Sequence, residues 1–511
     1  MRVNGKLLHL HRVHLTGQVG ASKIGDFGPR KVRIAFHVMI CIVTKDLTAR
    51  LGKHQRKGAN SVKRSWLAIF AVLILGLAAT NSHAQTGTLP VGPEAVQTQP
   101  KTNVGNAPAA IGGAVALPEY LTEVHGYQGL LAETLDGKTI ASQAVDEKFN
   151  PASSVKLATA LAALKNFGPD HRFLTTIWTS GTLDRATGTL NGDLVITGRD
   201  PSFNYEHAVM FARQLNELGI KSVTGNLIVA PGFTMNFDWS ARNSGEDFLE
   251  TIDATYRPAS ATRAWMNERN LLGDKVSLSS VPSVTVAGEV IVGPAPFGAK
   301  PLVTRKSSKL VDILKVLLCY SNNFMAERIG ETLGGPQSVR TLLIDSLKLN
   351  PDEIYLATAS GLGVNRVTPR AMMSILRGLT AELRKHKLNL TDILPVAGID
   401  PGTLEERFTN PFERGSVVGK TGTLIRTDGG ASSLVGQMNT KSGRVIYFVI
   451  FNQQGSVIRF RENQDALVTA IQSALGGPAP FAYRPITLPM RLANSDYEAA
   501  KARGEFEPRE Q

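Results

Sequence analysis

Cysteine is almost missing from this chain: Cys41 and Cys319 are the only two among 511 residues. Cys41 falls in a segment that reads as a leader, so Cys319 stands alone in the body. Neither an internal disulfide framework nor a cysteine-built zinc site is possible there. Histidine is scarce where chemistry would need it. Six of the ten (His9, His11, His14, His37, His54 and His83) lie within the first 84 residues, leaving His125, His171, His207 and His386. No His-x-x-x-His pair and no Gly-x-Ser-x-Gly elbow occurs, which removes the usual marks of zinc peptidases and Ser-His-Asp hydrolases. The four remaining histidines read as ordinary surface or core residues. An excess of one charge is also lacking once its location is known. The formal net charge is +13, but fourteen of 56 Lys/Arg and only two of 43 acids fall in residues 1–84. The remainder holds 42 bases and 41 acids, so a nucleic-acid partner is not expected.

Long apolar runs are absent too. The run Trp66–Ala79 falls short of the roughly 20 residues that span a bilayer. Preceded by Lys63-Arg64 and followed by Ser82-His83-Ala84, it reads as a signal peptide cleaved after Ala84. An uncleaved anchor is the alternative, and either places the body outside the cytoplasm, in the periplasm. Residues 1–60 fit neither reading, and a start at Val62 from a GTG codon accounts for that mismatch.

What is present divides the chain. Residues 85–116 are rich in Gly, Pro, Gln, Thr and Ala and read as a flexible linker. Residues 127–133 and 139–145, separated by Asp136-Gly137, carry a hairpin signal. A helix follows from Pro151-Ala152-Ser153 to Asn166-Phe167-Gly168, with apolar spacing through Val155, Leu157, Leu161 and Leu164. From 170 to 300 short strands (173–178, 193–198, 225–230) alternate with one helix (206–218) and a Pro/Ser-rich stretch. Helical periodicity returns at 309–333, 336–348 and 368–385. Strand patterns then occupy 416–424, 431–438 and 443–452, and a last amphipathic helix spans 461–475. The expected architecture is α+β. An antiparallel sheet flanked by helices, from 117–169 and 301–476, is interrupted by a smaller α/β domain at 170–300. The tail 477–511 is expected to be loosely attached.

Three short motifs carry the chemistry. Ser153-Ser154-Val155-Lys156 places a hydroxyl and an ammonium three residues apart at a helix start, on one face. A desolvated lysine can lose its proton near neutral pH and take one from the serine. About two copies of Ser-x-x-Lys are expected by chance in a chain this long, so the motif gains weight only from company. Ser321-Asn322-Asn323 sits between two helical stretches and on its own reads as a cap or turn. Lys420-Thr421-Gly422-Thr423 lies in a strand. The segment from Gly415 to Thr421 imitates a phosphate-binding loop but has three residues between its glycines, not four, and no helix follows.

In this order, on helix, loop and strand, the three motifs resemble the penicillin-binding protein and serine β-lactamase superfamily. Residues 192–203, 314–327, 360–362, 394–400 and 417–424 are similar, more narrowly, to the low-molecular-mass D-alanyl-D-alanine carboxypeptidase/endopeptidase group. The 168 residues from Ser153 to Ser321 match the extra domain that those enzymes carry. The resemblance implies a nucleophile at Ser153, a base at Lys156, a proton relay at Ser321 and a tuning lysine at Lys420. It implies further that Asn323 holds the substrate backbone, and that Thr421, Gly422 and Thr423 form the carboxylate-binding strand. Backbone N–H groups of Ser153 and Thr423 would form the oxyanion hole. The implied partners are peptidoglycan stem peptides, with β-lactams as covalent inhibitors; no cofactor and no metal is implied. Two positions depart from the group's pattern: Asn322 replaces the usual Asp, and Thr358-Ala359 replaces Asp-Gly. A β-lactamase, which would need a deacylating acid such as Glu353, and a non-catalytic peptidoglycan-binding relative are the other readings.

Overall fold

A computed structural model of the chain describes residues 114–276 and 281–500. The leader 1–84, its cleavage point and residues 85–113 of the linker lie outside the described residues. No helix among the described residues is long and apolar enough to cross a membrane.

Five strands make the central sheet: β1 (Tyr127–Thr134), β2 (Thr139–Gln143), β3 (Val417–Leu424), β4 (Ala431–Asn439) and β5 (Val445–Gln453). Their order is β3-β4-β5-β1-β2, and every neighbouring pair is antiparallel. The early hairpin and the late strands therefore close one sheet although 273 residues separate Gln143 from Val417. Side chains alternate between two cores, as a pleated strand requires. Leu131, Val418, Val435, Val449 and Phe451 face one core. It is filled by helices α1 (Val155–Phe167), α2 (Leu310–Tyr320), α3 (Asn323–Thr332) and α4 (Pro369–Lys385). Leu130, Leu434, Phe448 and Ile450 face the other, where α5 (Val457–Ala474) packs through Leu467, Val468 and Ile471. The end of the presumed linker joins this framework, with Val115 N–H donating to Ile140 O at 3.0 Å.

The region between Ser153 and Ser321 has its own core around Ile177, Ile196, Phe211, Val229 and Phe248. Its six-stranded sheet includes parallel pairs, 194–196 with 227–229 and 227–229 with 290–292. Three helices cover it rather than the single one expected. Besides Tyr205–Glu217, helices Ala241–Ile252 and Ala259–Leu271 fill the stretch that had looked Pro/Ser-rich. Ser240 caps the first, accepting from Asn243 N, and Pro258 immediately precedes the second.

The boundary at residue 300 moves. Lys300–Lys306 is a strand of the inserted sheet, paired with Leu174–Thr179. The two chain crossings lie side by side at Phe173 and Ser307, joined by Phe173 N→Ser307 Oγ at 2.8 Å and Ser307 N→Phe173 O at 2.9 Å. The tail also departs from expectation, because it is built into the molecule as far as residue 500. Helix Leu488–Ala493 seats Leu488 against Val316 and Cys319, and Arg491 pairs with Asp312 at 2.7 Å. Asp496–Ala499 then adds an edge strand to the inserted sheet. Short apolar contacts dispersed among prolines leave no periodic pattern to read, which is why the tail looked loose.

Candidate active site

The chain approaches Ser153 through a constrained turn. Ala152 adopts φ 47°, a left-handed conformation that costs a residue with a Cβ. Asn150 holds it there: its Oδ1 accepts from Ala152 N at 3.0 Å, and its Nδ2 donates to Asp428 Oδ2 at 2.7 Å and Gly363 O at 3.0 Å. Asp428 is clamped in turn by both terminal nitrogens of Arg366, at 2.9 and 2.8 Å. A single turn of tight helix, Ala152–Ser154, then leads into α1. Gly361 is required beside it, since a Cβ at 361 would collide with Ala152 O.

That turn sets Ser153 and Lys156 on one face. Lys156 Nζ lies 3.1 Å from Ser153 Oγ, 2.7 Å from Asn323 Oδ1 and 2.6 Å from Ser360 O. The side chain is completely buried. Burial lowers its pKa to about 7, against an opposing pull from Glu327. A neutral amine has two N–H donors and one lone pair. With Asn323 Oδ1 and Ser360 O taking the donors, the lone pair is left for the Ser153 hydroxyl.

Ser154 is handled separately. Its hydroxyl meets Ser433 Oγ at 2.6 Å, and Ser433 donates to Pro151 O at 2.8 Å. It braces the turn against β4.

Ser321 ends α2 in the left-handed conformation, φ 56°. Lys420 Nζ donates to its Oγ at 2.8 Å and to Thr421 O at 2.6 Å. Lys420 is fully buried, and burial first, then the nearby Lys156 charge, hold its pKa well below the lysine range. The helix bearing Ser321 is anchored by a buried ion pair. Lys315 Nζ reaches Asp400 Oδ2 at 2.7 Å, Thr391 O at 2.9 Å and Leu394 O at 2.6 Å. Asp400 also accepts from Val396 N and from the Tyr483 hydroxyl, both at 2.8 Å. Val396 bridges to Val418 on β3, so segment 391–400 ties the Ser321 helix to the Lys420 strand. Every polar atom of the pair is satisfied, the condition under which a buried ion pair is tolerated.

β3 runs past Ser153. An ideal Cβ on Gly422 would lie 2.9 Å from Ser153 N and 2.7 Å from Pro151 O, so only glycine permits this approach. Thr421 is buried, while Thr423 is partly open and accepts from Arg461 at 2.8 Å. Ser153, Lys156 and Asn323 thus form one hydrogen-bonded group, Ser321 and Lys420 a second, and the Thr421–Thr423 strand carries Lys420 past Ser153.

Sequence reasoning missed Glu327 and Arg461. Glu327 lies one helical turn beyond Asn323 and accepts from Ala359 N at 3.2 Å and Ser360 N at 2.8 Å. It therefore holds the carbonyl that Lys156 uses. Its i,i+4 spacing from Asn323 was the available signal.

Asn322 and Ala359, two of the residues that depart from the motif pattern, have local explanations. Asn322 caps α3, accepting from Met325 N at 3.0 Å, a duty that Asn and Asp perform equally well. The Ala359 methyl occupies space opened by Gly330, where a Cβ would collide with it. Gly330→Ala is therefore expected to cost about 1–3 kcal/mol by overpacking, despite alanine's better helix propensity. Adding Ala359→Gly should restore the melting temperature, which thermal unfolding of the single and double variants would check.

Residues 122–283 and 251–473 match the D-Ala-D-Ala carboxypeptidase 3 (S13) family. The chain belongs to this family. It is a serine-type D-Ala-D-Ala peptidase. A carboxypeptidase of Mycobacterium tuberculosis is 25% identical over 410 residues, 73% of this chain and 86% of the relative. A D-alanyl-D-alanine carboxypeptidase of Actinomadura is 24% identical over 461 residues, 71% and 84% respectively. The fold is shared with a penicillin G-acylated predatory endopeptidase of Bdellovibrio bacteriovorus. That likeness has TM-score 0.60 and 21% identity, covering 71% of this chain and 96% of that one. Penicillin binding protein 4 of Haemophilus influenzae has TM-score 0.52 and 19% identity, covering 69% and 99%.

Proposed function

We propose that this S13 peptidase hydrolyses D-alanyl-D-alanine stem peptides of peptidoglycan through an acyl-enzyme on Ser153. The observation that carries the reading is the Lys156 amine, with its donors occupied by Asn323 and Ser360 and its lone pair left for Ser153. Ser153 Oγ attacks the carbonyl of the penultimate D-alanine while Lys156 takes its proton. The oxyanion forms against the Ser153 and Thr423 N–H groups, at the start of a helix whose dipole favours it. Ser321, hydrogen-bonded to Lys420, passes a proton to the departing D-alanine nitrogen. The Asn323 amide N–H₂, its oxygen engaged by Lys156, holds the substrate backbone, and Thr421 and Thr423 take the terminal carboxylate. Water then releases the acyl group. A β-lactam acylates Ser153 by the same attack. Glu327, the acid beside this centre, has both oxygens engaged by backbone amides, so no free carboxylate is supplied there for fast β-lactam hydrolysis.

Cleavage of cross-links is a second activity that the inserted region favours. Its Phe237 and Trp239, both exposed, pack on Phe324, the neighbour of Asn323, with ring centroids at 5.8 and 4.7 Å. Asn236 and Phe237 hold left-handed φ of 54° and 61°, strain of the kind that collects at ligand clamps. Export through the signal peptide, with the mature chain beginning at Gln85, places the enzyme with its substrate in the periplasm. Mass analysis of products from cross-linked muropeptides tests the reading. Loss of terminal D-alanine, with conversion of dimers to monomers, is expected; unchanged muropeptides would refute it.

A further inference from the structure

The cleft has lysines but little guaranteed charge. Lys156 is brought to about 7 and Lys420 well below its usual range by burial, so neither is a dependable cation for a carboxylate at neutral pH. A fixed charge does lie against β3. Arg461, in the second turn of α5, donates from a terminal nitrogen to Thr423 Oγ1 at 2.8 Å. Its side chain is exposed at the rim, and Thr423 is its one side-chain partner among the described residues. Asp465, one turn further along α5, does not neutralise it, because Arg407 holds both Asp465 oxygens, through Nε at 2.9 and 3.2 Å. A guanidinium offers five donors in a planar fork suited to a carboxylate, and four of these remain free.

We propose that Arg461 supplies the positive charge that selects substrates ending in a free carboxylate, acting beside the Thr421 and Thr423 hydroxyls. This rests on the reading that those threonines receive the terminal D-alanine. The free acid binds through the Thr423 hydroxyl and the guanidinium together. An acid and its neutral amide would then differ at this one contact, while the scissile bond and the acylation chemistry stay the same.

The experiment compares the full exported enzyme with its R461Q and R461K variants on two peptides, one ending in D-Ala-D-Ala and the other in D-Ala-D-alaninamide. R461Q should lose about 10–100-fold in kcat/KM on the acid, mostly through KM, the range for one charge-assisted hydrogen bond. Its kcat/KM on the amide should fall less than about threefold, and R461K should recover part of the loss on the acid. Equal losses on both peptides would overturn the assignment by showing a structural role, as would an unchanged rate on the acid. A wild-type enzyme inert on both would overturn the underlying peptidase reading instead, so the two failures are distinguishable.

Discussion

Ser153→Ala is expected to abolish both D-alanine release and covalent labelling by fluorescent penicillin, leaving thermal unfolding close to wild type. No other oxygen in the cleft stands at the start of α1, within reach of Lys156 Nζ and beside the glycine approach of β3. Ser154 supplies the control. Its hydroxyl is spent on Ser433, so Ser154→Ala should retain acylation and lose about 1 kcal/mol of stability, the usual net worth of one hydrogen bond. Gel fluorescence with melting curves checks both variants. Labelling that survives Ser153→Ala would remove the nucleophile assignment.

Lys156→Ala should slow penicillin acylation by roughly 10²–10⁴-fold, the range for losing a positioned general base. Combined with Ser153→Ala it should add little, because the proposed mechanism has the two groups act in one step. The wild-type enzyme should also show the base's titration. In the proposed mechanism the neutral amine is the competent form, and burial lowers its pKa to about 7. Acylation should therefore rise with pH below that value, about tenfold per unit, and level off above it. Stopped-flow acylation between pH 5 and 9 measures this. A flat profile, or a Lys156→Ala variant acylating at the wild-type rate, would contradict the assignment. The same substitution strips donors from Asn323 Oδ1 and Ser360 O, so a modest fall in melting temperature is expected alongside.

The sheet was legible because its strands are short runs rich in apolar and β-branched residues, bounded by turns that carry glycine and aspartate. That Leu130 and Leu131 enter opposite cores appears only once helices cover both faces of the sheet. The three motifs were legible as short spacings, but not the network that makes them work. Asn150 clamping Ala152, Glu327 holding Ser360, and Lys315 tying the Ser321 helix to β3 are contacts between residues far apart in sequence. Single-sequence periodicity contains no such pairing. The tail failed for a different reason. Leu488 and Arg491 are ordinary residues until α2 offers them Val316 and Asp312, and a four-residue edge strand is too short to announce itself. Arg461 was invisible for the same reason, being one more charged residue on an amphipathic helix.

The proposed chemistry requires that penicillin acylate one serine, Ser153. Wild-type enzyme treated with penicillin G, then digested and mapped by mass spectrometry, tests it most directly. A single adduct of one penicillin per chain is expected, carried by the peptide containing Ser153 and localised to that residue by fragmentation. An adduct on Ser154 or Ser321, or a folded enzyme that takes up no penicillin at all, would contradict it.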